Sequence, residues 1–350
     1  MRFRRFALLM AVLMALFFLV ACKDEVDTRP LSKTEFLMDT VIHLRIYDNK
    51  DQKALDAAID RLKEIESRMS SHVDTSDVSQ INKNAGIKPV EVHDDVYYVI
   101  ERAKYFAEIS DGAYEPTIGP LVDLWNITGK GKGERKSIPT QDKIEEKVEL
   151  VNYKDLQLLD HNRVYLNRKG MKLDLGGIAK GYAADEVKRI FNEHGVNKAI
   201  VDLGGNIYAL GSKGKGEPWR IGIQDPFDVT GKYIGILRVE EKSVVTSGDY
   251  ERYFTYKGKK YHHIMDSKTG YPSDNELAGV SIISDKSIDG DALSTALFVL
   301  GTEEGTKMLN KLEGVEGIFV SKNKEVTIPK NLKNNFTLPN GNAKLKINPN

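Results

Sequence analysis

The sequence predicts an α+β fold in one compact unit. Three observations carry that reading. Past residue 160, short strand-like runs follow one another with only two helical stretches between them, which argues against a repeating βαβ sheet. Before residue 110, apolar residues recur at helical spacing. No Pro- or Ser-rich linker divides the 350 residues, and a hydrophobic content of 41% is enough to fill a sizeable core.

In chain order, residues 1–21 read as an export signal. Arg2, Arg4 and Arg5 precede an uninterrupted apolar run from Phe6 to Val20. As a helix its 15 residues span about 22 Å, short of the roughly 30 Å of a membrane core, which favours a cleaved signal over a permanent span. The run ends Leu19-Val20-Ala21-Cys22, similar to a bacterial lipobox, in which Cys22 receives the lipid and becomes the new N-terminus. Cys22 is the one cysteine of the chain, so an internal disulfide, a Cys-based zinc site and a Cys-X-X-Cys pair are excluded. Residues 22–33 are expected to be the lipidated Cys and a polar tether, and 34–350 the main domain.

Phe36 to Tyr47 alternates as a strand. Leu55, Ile59, Leu62, Ile65 and Met69 share one face of a helix, and Val96, Ile100, Ala103 and Phe106 with Ala107 one face of a second. Asp111-Gly112 should stop the second, because Gly supplies a left-handed cap. Gly129 to Lys136 is a polar Gly-rich loop without the phosphate-loop pattern. Strands are expected at Val164–Leu166, Ala199–Leu203, Ile207–Leu210, Trp219–Gln224, Tyr233–Val239, Tyr253–Tyr256, Tyr261–Met265 and Leu277–Ile283. Lys257-Gly258-Lys259 reads as a hairpin turn. The two late helices are Ile178–His194, closed by Gly195, and Asp289–Leu300, closed by Gly301.

Charge is balanced, 51 basic against 51 acidic residues, which argues against a nucleic-acid binder working through a broad basic face. Asp-Leu-Gly-Gly occurs twice, at 174–177 and 202–205. Gly176 and Gly177 open a helix whose free N–H groups favour an anion, and Lys180 adds a point charge; the same glycines would equally serve a tight turn. Neither copy matches a dinucleotide fingerprint. Asp291 and Thr295 stand at i and i+4 of a helix, so both can offer oxygen to a hard cation such as Mg²⁺, or Asp291 can simply answer the helix dipole. Of the adjacent His262 and His263, only one can enter a site from a strand, where it would suit general-base work. Asp111 to Thr117, and Met69-Ser70-Ser71-His72 with Ser76, Ser79 and Asn82, either line a polar pocket or form plain turns.

Taken together and in this order, these segments resemble the ApbE family, the FAD:protein FMN transferases. The resemblance runs from about Phe36 to Gly301. Its landmarks are Met38-Asp39-Thr40, Met69-Ser70 with Ser76 and Asn82, Asp111 to Thr117, Leu173 to Gly181, Val201 to Asn206, Val245 to Gly248, His263 to Asp266 with Thr269-Gly270, and Asp291 to Gly301. It implies an α+β unit related to the tunnelling fold, a mostly antiparallel sheet with packed helices. It also implies a Mg²⁺-dependent reaction that moves the FMN half of FAD onto a Thr or Ser hydroxyl of a separate exported flavoprotein, releasing AMP. Asp291, Thr295 and the carbonyl of Ala179 match the Mg²⁺ ligands, and Gly176 and Gly177 would lie beside metal and pyrophosphate. Met38, His72, Ala113, Tyr114, Glu115, Asp174 and Lys180 fall at or next to FAD-contacting positions, and His263 matches the base for the acceptor hydroxyl. With its signal, the chain is expected to be a lipid-anchored enzyme on the extracytoplasmic face of a bacterial membrane. One departure is His72, where many members carry an aromatic residue, commonly Tyr; the smaller imidazole bears on whether Thr or water accepts the FMN. A FAD pyrophosphatase and a flavin-binding lipoprotein without catalysis are the alternatives.

Overall fold

The computed structural model describes residues 29–127, 133–214, 216–228, 231–338 and 343–348. The expected signal segment, Cys22 and residues 129–132 of the Gly-rich loop lie outside the described residues. Among the described residues no helix is long and apolar enough to cross a membrane.

The first half alternates short strands with five helices. It runs β1 (Leu31–Leu37), β2 (Thr40–Ile46), α1 (Gln52–Met69), α2 (Asp77–Lys83), β3 (Val90–Glu91), α3 (Asp94–Ile109), α4 (Gly119–Trp125), α5 (Gln141–Val148), β4 (Leu156–Leu159) and β5 (Arg163–Leu166). The second half is strand-rich, as expected. It runs α6 (Ala179–Glu193), β6 (Ala199–Leu203), β7 (Asn206–Leu210), β8 (Trp219–Gln224), β9 (Tyr233–Val239), β10 (Lys242–Gly248), β11 (Tyr253–Tyr256), β12 (Lys259–His262) and β13 (Leu277–Ser284). It closes with α7 (Ser287–Leu309), β14 (Glu316–Ser321), β15 (Glu325–Pro329), β16 (Phe336–Thr337) and β17 (Lys344–Asn348).

Nine strands form one sheet in the order β1-β2-β6-β7-β10-β13-β14-β15-β17. Its neighbours pair antiparallel except β15 with β17. The main core joins this sheet to α1, α3, α6 and the front of α7. The five apolar residues expected on one face of α1 are all buried there, each contributing roughly 1.5–3 kcal/mol of burial. The three-stranded sheet β16-β9-β8 closes a second core with β10, β14 and β15. A third, smaller core gathers Leu121, Trp125, Ile144, Phe254, Tyr261 and Met265. In it Trp125 stacks on Tyr261 with ring centroids 5.5 Å apart. Its indole Nε1 donates to the carbonyl of Gly270 at 2.8 Å, which anchors the loop after His263.

Three expectations are corrected. Phe36 to Tyr47 is not one strand: Phe36 and Leu37 end β1 and Thr40–Ile46 form β2, because Met38 (φ 53) and Asp39 (φ 58) between them both take left-handed backbone. That two-residue turn with φ > 0 is usually flagged by Asn-Gly or Asp-Gly, and Met-Asp carries no such flag. β1 begins at Leu31, so Leu31, Ser32 and Lys33 are strand rather than tether. The strand expected at Tyr261–Met265 is Lys259–His262, with the turn moved to Lys257 (φ 48) and Gly258 (φ 76). Gly301 ends the front of α7 as expected: its φ of 79 and ψ of 179 break the helix before a further stretch to Leu309.

Candidate functional site

The site is built where α6 begins. Asn82 clamps the approach by accepting from Leu173 N at 2.6 Å and donating to Leu173 O at 3.0 Å. Asp174 follows, its backbone N–H donating to Pro116 O at 2.8 Å. Its Oδ1 accepts from Gly176 N at 2.7 Å, an Asx turn that swings the chain into α6. Gly177 has no room to spare. A Cβ there would stand 3.2 Å from the Tyr114 ring and 3.3 Å from Thr295 Oγ1, so glycine keeps open the space between a phenol and a hydroxyl.

α7 brings Asp291 to the same point. Asp291 is buried, and its Oδ2 accepts from Gly181 N at 2.9 Å in the first turn of α6. Its Oδ1 faces the Lys180 ammonium at 4.0 Å, while Lys180 donates to Gly176 O at 3.1 Å. Tyr114 is buried with its hydroxyl unpartnered. Burial, then the charges of Asp291, Asp174 and Glu115, push its phenol well above the ordinary value. Burial also raises Asp174, opposed by the Gly176 N–H, His72 and Lys180. Tyr114 and Thr295 meet over Gly177, and Asp291 joins α6 there through Gly181 and Lys180. His72 itself is exposed, its N–H donating to Ser70 Oγ at 3.2 Å.

The two histidines divide their roles. His262 is buried, and both ring nitrogens are engaged: Nε2 with Ser273 O at 2.8 Å and Nδ1 accepting from Ile264 N at 3.3 Å. A carbonyl can only accept, so Nε2 carries the proton and no basic nitrogen is left. His263 is half-buried, with Nδ1 3.3 Å from Arg252 O. By the same argument Nδ1 holds its proton and Nε2 keeps its lone pair. Burial, then the Arg252, His262 and Lys180 charges, lower its pKa to about 3, so the ring is neutral at pH 7.

Met38 sits in the hairpin tip, its N–H donating to Glu66 Oε1 at 2.7 Å. Asp39 O accepts from Arg252 Nη2 at 3.2 Å, tying that tip to the segment that orients His263. Ala113 is buried, and the adjoining turn is tied to the loop after His263 by Ser267 Oγ donating to Gly112 O at 2.8 Å. Glu115 holds the turn beside it in place. Its buried carboxylate accepts from Thr117 N and Oγ1, at 2.9 and 2.8 Å, and from Tyr153 N at 3.0 Å. Ser76 and Asn82 likewise serve structure, Ser76 by capping α2 through Ser79 N at 3.0 Å. Arg252, which sets the His263 tautomer, escaped the sequence reading because no motif marks it. A cavity of about 680 Å³ on the His262 side is lined by Lys259, Lys260, Tyr261 and Asp266, and by none of Asp291, Thr295 or Lys180, so it is separate from this oxygen-rich cluster.

The residues present fit a hard cation. Among the described residues no three His, Cys, Asp or Glu side chains converge as a metal cage. What α6 and α7 offer instead is a carboxylate oxygen of Asp291, the Thr295 hydroxyl and main-chain oxygen, beside the unpartnered Tyr114 hydroxyl and a space that a Cβ on Gly177 would fill. Oxygen donors with few protein charges suit Mg²⁺ completed by water and phosphate.

Comparison with known proteins places the chain in a family. A family model described as the ApbE family matches residues 38–319. The chain is 39% identical to a FAD:protein FMN transferase of Klebsiella pneumoniae over 86% of this chain and 92% of that one. It is 36% identical to a FAD:protein FMN transferase of Treponema pallidum over 87% and 88%. Among solved structures, the ApbE protein of Thermotoga maritima superposes with a TM-score of 0.79 at 33% identity, covering 88% of this chain and 99% of that one. The flavin transferase ApbE of Vibrio cholerae gives 0.74 at 26%, covering 84% and 94%.

Proposed function

The chain belongs to the ApbE family, and from that premise we propose that it transfers the FMN portion of FAD to a Thr or Ser hydroxyl of a separate exported protein, releasing AMP. The observation that carries this reading is the cluster at the start of α6. A glycine-floored N-terminus, Lys180, Asp291 and Thr295 meet there, with His263 close enough to feel the Lys180 charge.

In this reading the free N–H groups of the first turn of α6 and the Lys180 ammonium receive the pyrophosphate. Asp291, Thr295 and the Ala179 carbonyl would hold Mg²⁺, which when bound supplies charge neutralisation on the phosphate oxygens. Met38, Ala113, Tyr114 and His72 frame the flavin and adenosine ends. Glu115 acts from behind by fixing the turn that carries Ala113 and Tyr114. The acceptor hydroxyl gives its proton to His263 Nε2 while its oxygen bonds to the FMN phosphorus, and the bond from that phosphorus to the AMP oxygen breaks. Preorganisation of donors and charge would supply most of the acceleration. Lipidation at Cys22 would hold the enzyme on the extracytoplasmic face of a bacterial membrane.

The test is incubation of the protein with FAD, Mg²⁺ and a candidate acceptor. Covalent flavin on the acceptor with stoichiometric AMP supports the proposal. Free FMN with AMP would make water the acceptor. Unchanged FAD would overturn both.

A further inference from the structure

The Mg²⁺ ligands read above come from two helices, so their spacing depends on how α6 sits against α7. Two contacts fix it. Gly181 N in α6 donates to Asp291 of α7. Asp185, one turn further along α6, accepts from the first two N–H groups of α7: Ser287 N to Oδ1 at 2.8 Å and Ile288 N to Oδ2 at 2.9 Å. The helix needs this help, because its own cap position, Lys286, provides no side-chain hydrogen bond. Each helix thus caps the other with a carboxylate. Gly181 and Asp185 lie at i and i+4, on one face, and that face meets α7 closely: a Cβ on Gly181 would come within 2.3 Å of Ser287 O.

We propose that Asp185 is a positioning residue for the cation site: by capping α7 from α6 it sets the distance between the Ala179 carbonyl and the Asp291–Thr295 pair. This rests on the Mg²⁺ reading of the site. Asp185 touches no reacting atom. The two N–H groups it holds, of Ser287 and Ile288, lie about one helical turn before Asp291 along α7, so loss of these bonds lets the start of α7 tilt away from α6. The charged groups facing it are Asp289 of α7, itself paired with Arg102 of α3 at 2.7 Å, and Lys188 of α6. Burial, and then Asp289, raise its carboxyl to about 6, so its charge falls away in mildly acidic solution.

The experiment uses the whole exported chain and titrates Mg²⁺ by calorimetry, alongside AMP release from FAD. Asp185→Asn keeps the shape but removes the charge and one acceptor. It should weaken Mg²⁺ binding about 10-fold or more, as loss of an outer-shell partner does, with AMP release within about 3-fold at saturating Mg²⁺. Wild-type Mg²⁺ affinity should also fall as pH drops from 7 to 5, through the Asp185 titration, and Asp185→Asn should lack that step. Ser287→Pro deletes one donor without changing charge, at a first-turn position where proline is tolerated, and should give a smaller loss. Unchanged Mg²⁺ affinity and an unchanged pH profile in Asp185→Asn would overturn the proposal. If both variants lose cooperative unfolding, Asp185 is a folding residue and the proposal also falls. A wild-type chain that neither binds nor requires Mg²⁺ would instead overturn the metal reading itself.

Discussion

The two adjacent histidines show how much a single ring nitrogen decides. His262 spends both nitrogens inside the protein, whereas His263 keeps Nε2 in hand. His263→Ala should cut flavin transfer by about 10²–10⁴-fold with FAD affinity within a few-fold, measured by acceptor flavinylation and FAD titration. His262→Ala should chiefly cost stability, about 1–3 kcal/mol, by leaving Ser273 O unpaired. The reverse pattern would transfer the base to His262. Acid adds a second signature. Unfolded, the His263 ring takes a proton near 6.5; folded, it stays neutral down to about 3. Between those values the unfolded chain holds a proton that the folded chain lacks, so stability is lost as pH falls through that window. His263→Gln should therefore lose less thermal stability than wild type between pH 7 and 5. Tyr114 gives the opposite kind of test. Its hydroxyl is buried and unpartnered, so Tyr114→Phe should stabilise the ligand-free protein by about 1 kcal/mol in denaturant melts while weakening FAD binding. Such contacts were not legible in the sequence. The motifs put His263 and Asp291 in view, but Arg252 and Asp185 act across the fold, 102 positions separating Asp185 from Ser287.

At the scale of elements, helical periodicity and strand alternation located α1, α3, α6, β6, β8 and β9, because each buries one regular face. β10 escaped. Its Lys-Ser-Val-Val-Thr-Ser-Gly reads as half polar, yet Ser243 is buried, Thr246 bonds Ser281 at 2.7 Å and Ser247 bonds Ser294 at 2.7 Å. The short helices α2, α4 and α5, of seven or eight residues, also gave no lasting period. The crossing of α6 on α7 depends on Gly181, whose missing side chain faces rigid backbone rather than a movable tip. Gly181→Ala should lower stability by about 1–3 kcal/mol, the cost of overpacking, and weaken Mg²⁺ binding because the Asp291 contact is pushed apart. A thermal melt and a Mg²⁺ titration check both effects together.

For the whole molecule, the α+β class was legible from strand-rich runs broken by few helices, whereas the sheet order was not. Strand neighbours such as β2 with β6 and β7 with β10 come together across long stretches of chain, and no local pattern encodes them. The strands after residue 310 also lie beyond the motifs that marked the rest. The expected anchor is tested on the intact chain. Cys22→Ala should leave the precursor unprocessed or shed the protein to the medium, read by membrane fractionation and the mass of the N-terminus. Normal processing with normal membrane retention would refute lipidation at Cys22.

The third core also turns the protein into its own optical gauge. The chain has two tryptophans, Trp125 and Trp219. Trp125 holds the loop after His263 through Gly270, while Trp219 belongs to the second core and donates to Leu210 O at 3.1 Å. Flavin absorbs where indole emits, so a flavin seated beside His263 should quench the two unequally. Trp219→Phe leaves Trp125 as a lone fluorophore whose emission falls as FAD binds. Trp125→Phe should leave a much flatter signal. Equal quenching in the two variants would mean that the flavin settles no closer to one core than to the other.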